Sequence, residues 1–99
     1  MADDFASGTW HVKPGEEETF IERWRELLEW TRAEFPALQN TSLIRNQQVP
    51  NHFISFAEWA DGDSRNAWKQ TEGFMQRQGA CKALCEKMTG SDFDRVLSI

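Results

Sequence analysis

The chain has 99 residues, a mean hydropathy of −0.66 and a formal net charge of −5. This length suits a single domain over residues 1–99, because it leaves no room for a second hydrophobic core. The acidic balance argues against nucleic acid as a partner, since nucleic-acid-binding surfaces are basic. No stretch approaches the roughly 20 apolar residues that span a bilayer, and the N-terminal MADDFASG lacks the apolar run of a secretory signal. We therefore expect a cytoplasmic protein that does not contact membranes.

The first predicted element is a strand. Residues 5–13 alternate loosely, so that Trp10 and Val12 project to one side while Thr9 and His11 project to the other. A Lys-Pro-Gly sequence follows directly and breaks the strand.

A long helix is predicted next, from Glu16 to about Phe35, where Pro36 stops it. Three consecutive glutamates occupy its first turn, where the helix dipole favours negative charge. Trp30 lies at the edge of the apolar stripe and is predicted either to line the rim of a pocket or to contact another chain. The stripe itself consists of Phe20, Ile21, Trp24, Leu27, Leu28, Thr31 and Phe35.

Residues 41–47 and 52–59 are predicted to pair as a hairpin, because Val49-Pro50-Asn51 between them is a turn signal. The second of these strands is apolar on both sides. Such a strand favours a sheet that is covered on both faces, since exposure would leave large apolar side chains in water. One side carries Phe53, Ser55, Ala57 and Trp59, and the other carries His52, Ile54, Phe56 and Glu58.

The C-terminal part of the chain is predicted to contain helical segments and a last strand. A short helix carries Trp68, and a longer one runs from Thr71, which can cap it, to about Met88. Residues 93–99 (FDRVLSI) are predicted to form the fourth strand. The predicted order is therefore strand, helix, strand, strand, helix, strand.

Gln78 interrupts the apolar stripe of the longer helix. Its spacing from Phe74, Cys81 and Cys85 directs it towards the interior. A glutamine in that position either satisfies a buried polar group or lines a ligand pocket. We expect Gln78 to face a cavity, with Trp68 or Phe74 close by.

Cys81 and Cys85 are expected to be free thiols that fill space on one face of that helix. Four residues of helix hold the two Cα atoms near the limit of disulfide reach and aim the side chains poorly. Metal binding would need more ligands than His11 and His52, which are distant in sequence. No structural metal or cofactor is therefore expected.

Five segments of the sequence resemble the antibiotic biosynthesis monooxygenase family. They are VKPGEEETF, FIERWRELLEW, HFISFAEWAD, NAWKQTEGFMQ and the terminal DFDRVLSI. The resemblance extends over nearly the whole chain and implies an α+β, ferredoxin-like fold, with an antiparallel sheet and helices on one face. It also implies a homodimer, in which the sheets of two chains form a dimeric α/β barrel.

The resemblance further implies a choice of chemistries. Some relatives oxidise aromatic polyketides or quinols with molecular oxygen and no cofactor, and one branch degrades haem. The haem branch uses an asparagine on the first strand, a tryptophan after the third strand and a histidine ten residues beyond it. Trp68 matches that tryptophan, whereas Gln78 replaces the histidine and about Gly8 replaces the asparagine. An iron atom would thus lack an imidazole ligand.

The sequence therefore predicts a cofactor-independent monooxygenase acting on an aromatic or quinol-type small molecule. His52 is a candidate catalytic base, with His11 as the alternative, because imidazole titrates near neutrality, and Gln78 is a candidate hydrogen-bonding group. The candidate substrate-binding residues, which could equally be plain core, are Trp24, Trp59, Trp68 and Phe74. Two alternatives stay open: a dimeric module that binds a small hydrophobic ligand without turnover, and a haem-handling relative with altered ligation.

Overall fold

The computed structural model describes residues 3–99. Within this range the strands form one antiparallel sheet, in the spatial order β2-β3-β1-β4, and the helices lie on one of its faces. This is the ferredoxin-like α+β fold that the sequence predicts. In chain order the elements are β1 (Asp4–Val12), α1 (Glu17–Glu34), β2 (Leu38–Arg45), β3 (His52–Trp59), α2 (Gly62–Lys69), α3 (Glu72–Lys82) and β4 (Cys85–Asp94).

The two central strands, β1 and β3, define the two faces of the sheet. They pair antiparallel along their length, with Gly8 opposite Ser55 and His11 opposite His52. Buried side chains alternate with half-buried ones on β1 and with half-buried or exposed ones on β3, as the sequence predicts. We call the side that packs against the helices the covered face and the opposite side the open face.

The hydrophobic core lies between the covered face and the helices and is mainly aromatic. Phe20 of α1 lies 5.0 Å from Phe53 and 5.5 Å from Trp10, measured between ring centroids. Offset and edge-on contacts of this kind add to the stability that burial of the rings provides. The fully buried large side chains include Trp10, Trp59, Phe20, Phe53 and Leu27.

The long helix α1 is amphipathic, as predicted, and buries Phe20, Trp24, Leu27 and Thr31. Trp30 packs against α3, because a Cβ atom added at Gly73 would lie 2.3 Å from its ring. Arg77 also places its guanidinium 4.5 Å from the centroid of that ring. Along the described chain, no helix is both long enough and apolar enough to cross a membrane.

The predicted end of α3 and the predicted fourth strand are both wrong. The helix ends at Lys82, and β4 begins at Cys85, not at residue 93. β4 pairs with β1 from Val12 back to Asp4, so β1 supplies no partner for residues beyond Asp94. The backbone hydrogen bonds of this ladder outweigh the helix-like spacing of the apolar residues.

The two cysteines consequently lie on different elements. Cys81 is buried on α3 and Cys85 starts β4, so the prediction that they share a helix face is wrong, although both are free thiols. Removal from water raises the pKa of Cys81 to about 12, and it also raises the pKa of Cys85. Neither cysteine is therefore an activated nucleophile.

Candidate functional site

A cavity of about 80 Å³ lies between the covered face and the helices. We call it the inner cavity. Its floor is formed by small residues of the central strands, where Gly8 and Ser55 face each other across the ladder. Its roof is formed by side chains from all three helices. These roof residues are Trp24, Leu28, Trp68, Lys69, Phe74 and Gln78.

Trp68 forms the rigid part of this roof. Its indole Nε1 donates a hydrogen bond to Oγ1 of Thr31 at 3.0 Å, and that hydroxyl donates to the carbonyl of Leu27 at 2.7 Å. The rings of Trp68 and Phe74 meet edge to face, with centroids 4.5 Å apart. Because its N–H is already paired, Trp68 offers a ligand its aromatic surface only.

Trp24 has a buried N–H without a partner. No residue in the described part of the chain accepts a hydrogen bond from its Nε1. The neighbouring Trp10 differs, because its Nε1 donates to Oγ of Ser55 at 3.0 Å. A buried donor without an acceptor is costly, so an oxygen atom that reached Nε1 of Trp24 would be stabilised; Nε1 of Trp59 is unpartnered in the same way among the described residues.

Gln78 lines the inner cavity together with Trp68 and Phe74, where the sequence placed it. Among residues 3–99 its side chain has no hydrogen-bond partner. Its inward direction follows from the spacing to Phe74 and Cys81, since Cys85 is outside the helix. The amide offers two donors and one acceptor to whatever occupies the cavity.

Gly8 is matched to the aromatic packing around the cavity floor. A Cβ atom at this position would lie 2.8 Å from Nε1 of Trp10 and 3.2 Å from Oγ of Ser55. Because Gly8 has no side chain, the Trp10 ring can lie over this position and reach Ser55.

Comparison with known proteins agrees with this architecture. The family model for the antibiotic biosynthesis monooxygenases matches residues 5–79, which is most of the chain. The chain belongs to this family. No curated protein matches it in sequence.

Several solved structures superimpose closely on this chain. A variant of SnoaB from Streptomyces nogalater, a cofactor-independent oxygenase, has a TM-score of 0.90 at 18% identity, covering 100% of this chain and 98% of that one. An antibiotic biosynthesis monooxygenase has a TM-score of 0.81 at 25% identity, covering 95% and 99%. A conserved protein from Methanosarcina mazei Go1 has a TM-score of 0.83 at 16% identity, covering 94% and 92%.

The residues of the inner cavity do not fit haem. Neither His11 nor His52 lines it, and neither does either cysteine. A porphyrin is also far larger than a space of about 80 Å³. The inner cavity therefore offers a haem iron no imidazole or thiolate ligand.

The structure places His52, the other predicted catalytic residue, away from Gln78. His52 shares the open face with His11, and its Nε2 lies 2.8 Å from Nδ1 of His11. The side chain of the next residue, Phe53, points to the covered face, because neighbouring strand residues project to opposite sides. The sheet itself therefore separates His52 from the inner cavity of the same chain.

Trp59 lies behind the inner cavity and does not line it. It is fully buried, 5.0 Å from Trp68 between ring centroids, and packs edge-on against Phe35. Trp59 therefore supports Trp68, and of the four aromatic residues singled out from the sequence, Trp24, Trp68 and Phe74 line the cavity.

A second, more open space adjoins the inner cavity between α1 and β2. This outer groove has a volume of about 540 Å³ and shares Trp24 and Leu28 with the inner cavity. Arg25 and Arg45 also line it. The two spaces together could hold a ligand larger than the inner cavity alone.

Lys69 also lines the inner cavity, and the sequence did not single it out. The available signal was its position next to Trp68 at the end of α2. Lysines on amphipathic helices are mostly solvated, so this signal is weak without the tertiary structure.

Proposed function

We propose that this protein is a cofactor-independent monooxygenase that oxidises a small phenolic or quinol-type aromatic molecule in the inner cavity. The observation that carries the proposal is an aromatic-walled cavity with unused hydrogen-bonding groups, the amide of Gln78 and the N–H of Trp24. SnoaB, which shares the fold, supports it as a cofactor-independent oxygenase. At 18% identity that similarity concerns the fold, so the cavity carries the assignment.

The reaction requires little from the protein. The anion of an electron-rich substrate gives an electron to oxygen, the resulting pair combines to a peroxide, and loss of water leaves a carbonyl. For an activated methylene the balance is R₂CH₂ + O₂ → R₂C=O + H₂O, so the substrate supplies all the electrons. The site must hold the ring, stabilise its oxyanion and keep bulk water out.

The lining residues suit these three tasks. Trp68 and Phe74 provide the aromatic surfaces that hold a planar ring, and Trp24 and Gln78 provide hydrogen-bond donors for its oxygen atoms. Trp59 keeps Trp68 in place from behind. The small polar surface of the cavity favours an aromatic substrate over a sugar or nucleotide.

The size of the inner cavity limits how a substrate enters. A space of about 80 Å³ holds about two or three waters at the ~30 Å³ each occupies in the liquid. A ring must therefore displace half-buried side chains such as Phe74, Gln78 and Met88. The remainder of a larger substrate would extend past Leu28 into the outer groove.

We also propose that the open face binds a second copy of the chain. Four large apolar residues are partly exposed on this face. They are Ile44 (48% exposed), Ile54 (39%), Phe56 (39%) and Phe93 (53%). An apolar surface of this kind on a sheet is typical of an interface. A homodimer with facing sheets would cover it, as the family resemblance implies.

A dimeric module that binds a small hydrophobic ligand without turnover is the second candidate. It is favoured by one observation: among residues 3–99, no histidine or carboxylate lines the inner cavity to accept the proton of a substrate. Binding would then use the same aromatic wall and the same amide.

Oxygen uptake separates these two functions. We expect chelator-treated protein to consume oxygen with at least one member of a panel of anthrones and hydroquinones, faster than the solution without protein. Replacing Gln78 by leucine should lower that rate about tenfold, the equivalent of one lost hydrogen bond of about 1.4 kcal/mol. Stability should hold or rise, because Gln78 has no protein partner to leave unpaired.

Gln76→Leu is the matched control. Gln76 lies on the same helix but is exposed, and its amide donates to Glu72 at 3.1 Å. Its replacement should leave oxygen uptake unchanged. Aromatic ligands that bind but are never oxidised would establish the binding module. A Gln78→Leu protein that is less stable yet fully active would remove Gln78 from the site.

A further inference from the structure

Among the residues that line the inner cavity, Lys69 alone carries a charge. The others are apolar, aromatic or neutral polar side chains, or glycine. A single ammonium group beside weakly polarisable walls acts over a longer range than it would in water. Its effect on a ligand therefore depends on where the ammonium group is held.

Contacts from the sheet fix the position of Lys69. Its ammonium donates a hydrogen bond to Oδ1 of Asp92 on β4. The guanidinium of Arg65 contacts that same oxygen at 3.6 Å and Asp4 at 3.4 Å. Only 12% of the Arg65 side chain is exposed, against 32% for Lys69 and 41% for Asp92. The better buried arginine thus anchors the carboxylate that holds the lysine.

The register of the sheet places this ion pair on the side of the inner cavity. Asp92 lies opposite Ala6, which is buried on the covered face and lines the cavity floor. Lys69 lines the cavity, whereas Asp92 does not.

We propose that Lys69, positioned by Asp92, stabilises the phenolate form of the molecule bound in the inner cavity. The site would therefore select phenols that ionise readily over aromatic molecules without an acidic hydroxyl. This inference rests on the proposed function, whose substrate it narrows.

The proposal accounts for the lack of a histidine or carboxylate in the cavity. A phenol that ionises readily loses its proton to water or buffer before or as it binds, so the site needs no base of its own. Lys69 contributes electrostatic attraction, which lowers the pKa of the bound phenol. The phenolate is then the electron-rich species that reacts with oxygen.

The competing explanation is that only the methylene chain of Lys69 lines the cavity, while its ammonium group interacts with Asp92 and solvent. A ligand would then experience little of the charge. The two explanations differ in the pKa of a bound phenol, which can be measured without any turnover.

The test uses 4-nitrophenol, whose phenolate absorbs visible light and which titrates near neutral pH. Its absorbance is titrated against pH with and without saturating wild-type protein. We expect the bound pKa to fall by about one unit relative to free 4-nitrophenol. Lys69→Met should abolish this shift, and Lys69→Arg should retain most of it. Lys82→Met, which removes an exposed lysine from α3, should behave as wild type.

Several outcomes would overturn the assignment. One is a bound pKa that is equal in wild type and Lys69→Met, and another is a wild-type protein that does not bind 4-nitrophenol. Circular dichroism of each variant checks folding, and Lys69→Gln replaces the methionine variant if that one is unstable. A shift in the pKa of bound 4-nitrophenol without oxygen uptake would support the phenolate site and reject the oxygenase. Oxygen uptake that survives in Lys69→Met would reject the phenolate site and support the oxygenase.

Discussion

The covered and open faces of the sheet are built from the same two strands and yet differ in almost every property. On the covered face, Trp10 and Phe53 are 2% exposed and pack against α1. On the open face, Ile54 and Phe56 are each 39% exposed, and no helix of the described residues packs over them. Neighbouring residues of one strand thus serve two different surfaces.

The polar groups differ between the faces as well. The covered face surrounds a cavity in which Trp24 and Gln78 keep unused hydrogen-bonding groups. On the open face the polar pair is His11 and His52, whose ring nitrogens lie 2.8 Å apart. We therefore propose that ligand chemistry belongs to the covered face and association to the open face. The four predictions below test this division, beginning with the largest expected effect.

Replacing Phe53 by alanine should lower the free energy of unfolding by about 3–5 kcal/mol, because it empties a fully packed core position. Phe56→Ala removes a half-exposed ring and should cost about 1–2 kcal/mol in the monomer. Urea denaturation at several protein concentrations measures both. The Phe53 loss should not change with concentration, whereas the Phe56 loss should grow if a second copy covers that ring. Equal, concentration-independent losses would contradict the division between the faces.

Placing a charge on the open face should disrupt the proposed homodimer. We expect wild-type protein to sediment at twice its mass of 11.5 kDa at micromolar concentration. Phe56→Asp should raise the dissociation constant of the dimer about 100-fold, because association would bury a carboxylate without a partner. The free-energy cost of that burial is about 2.7 kcal/mol or more. Met75→Asp, at an exposed apolar residue on α3, is the control and should not change it. A wild-type protein that sediments as a monomer would reject the interface.

Gly8→Ala should destabilise the protein by about 1–3 kcal/mol, because its Cβ atom would press on the Trp10 ring at 2.8 Å. Gly90 is the matched control: it lies opposite Gly8 on β4, and a Cβ atom there would be 3.6 Å from the nearest atom. Thermal unfolding of both variants provides the comparison. If Gly90→Ala loses stability and Gly8→Ala does not, the Trp10 ring can move aside.

Stability should also show a small dependence on the protonation of His11. Partial removal from water, and then the charges of His52 and Lys87, hold the pKa of His11 below its ordinary value of 6.5. The unfolded chain therefore binds the proton more readily, and stability is lost as pH falls from about 7 through the lowered pKa. Urea midpoints between about pH 7 and pH 5 measure the slope, which His11→Gln should reduce. If the slope is unchanged in His11→Gln, the pH dependence arises from other titratable groups.

Part of the fold was accessible from the sequence because its signals are local. The third strand is found at His52–Trp59, where it was predicted, and its two-residue alternation correctly separated Phe53 from Ile54. The amphipathic stripe of α1 and the cap at Thr71, whose Oγ1 accepts from the N–H of Phe74 at 3.1 Å, also follow from neighbouring residues alone. The family resemblance supplied the remaining topology.

The candidate site was only partly accessible. Helical spacing from Phe74 was enough to turn Gln78 towards the cavity, and the aromatic cluster around Trp68 was identified. His52 was grouped with Gln78 because imidazole chemistry suggested it. Which face of the sheet adjoins the helices could not be read from β3, since both of its sides are apolar.

The sequence by itself determined the periodicity of the elements, and therefore which residues share a side of each one. The tertiary structure decided which side of one element packs against which side of another. Residues 83–88 have an apolar spacing compatible with helix or strand, and only the ladder with β1 made Cys85 the start of β4. The same ladder brings Asp92 to Lys69 across 23 residues of chain. Contacts between residues far apart in sequence depend on the register of paired strands, and no local pattern encodes that register.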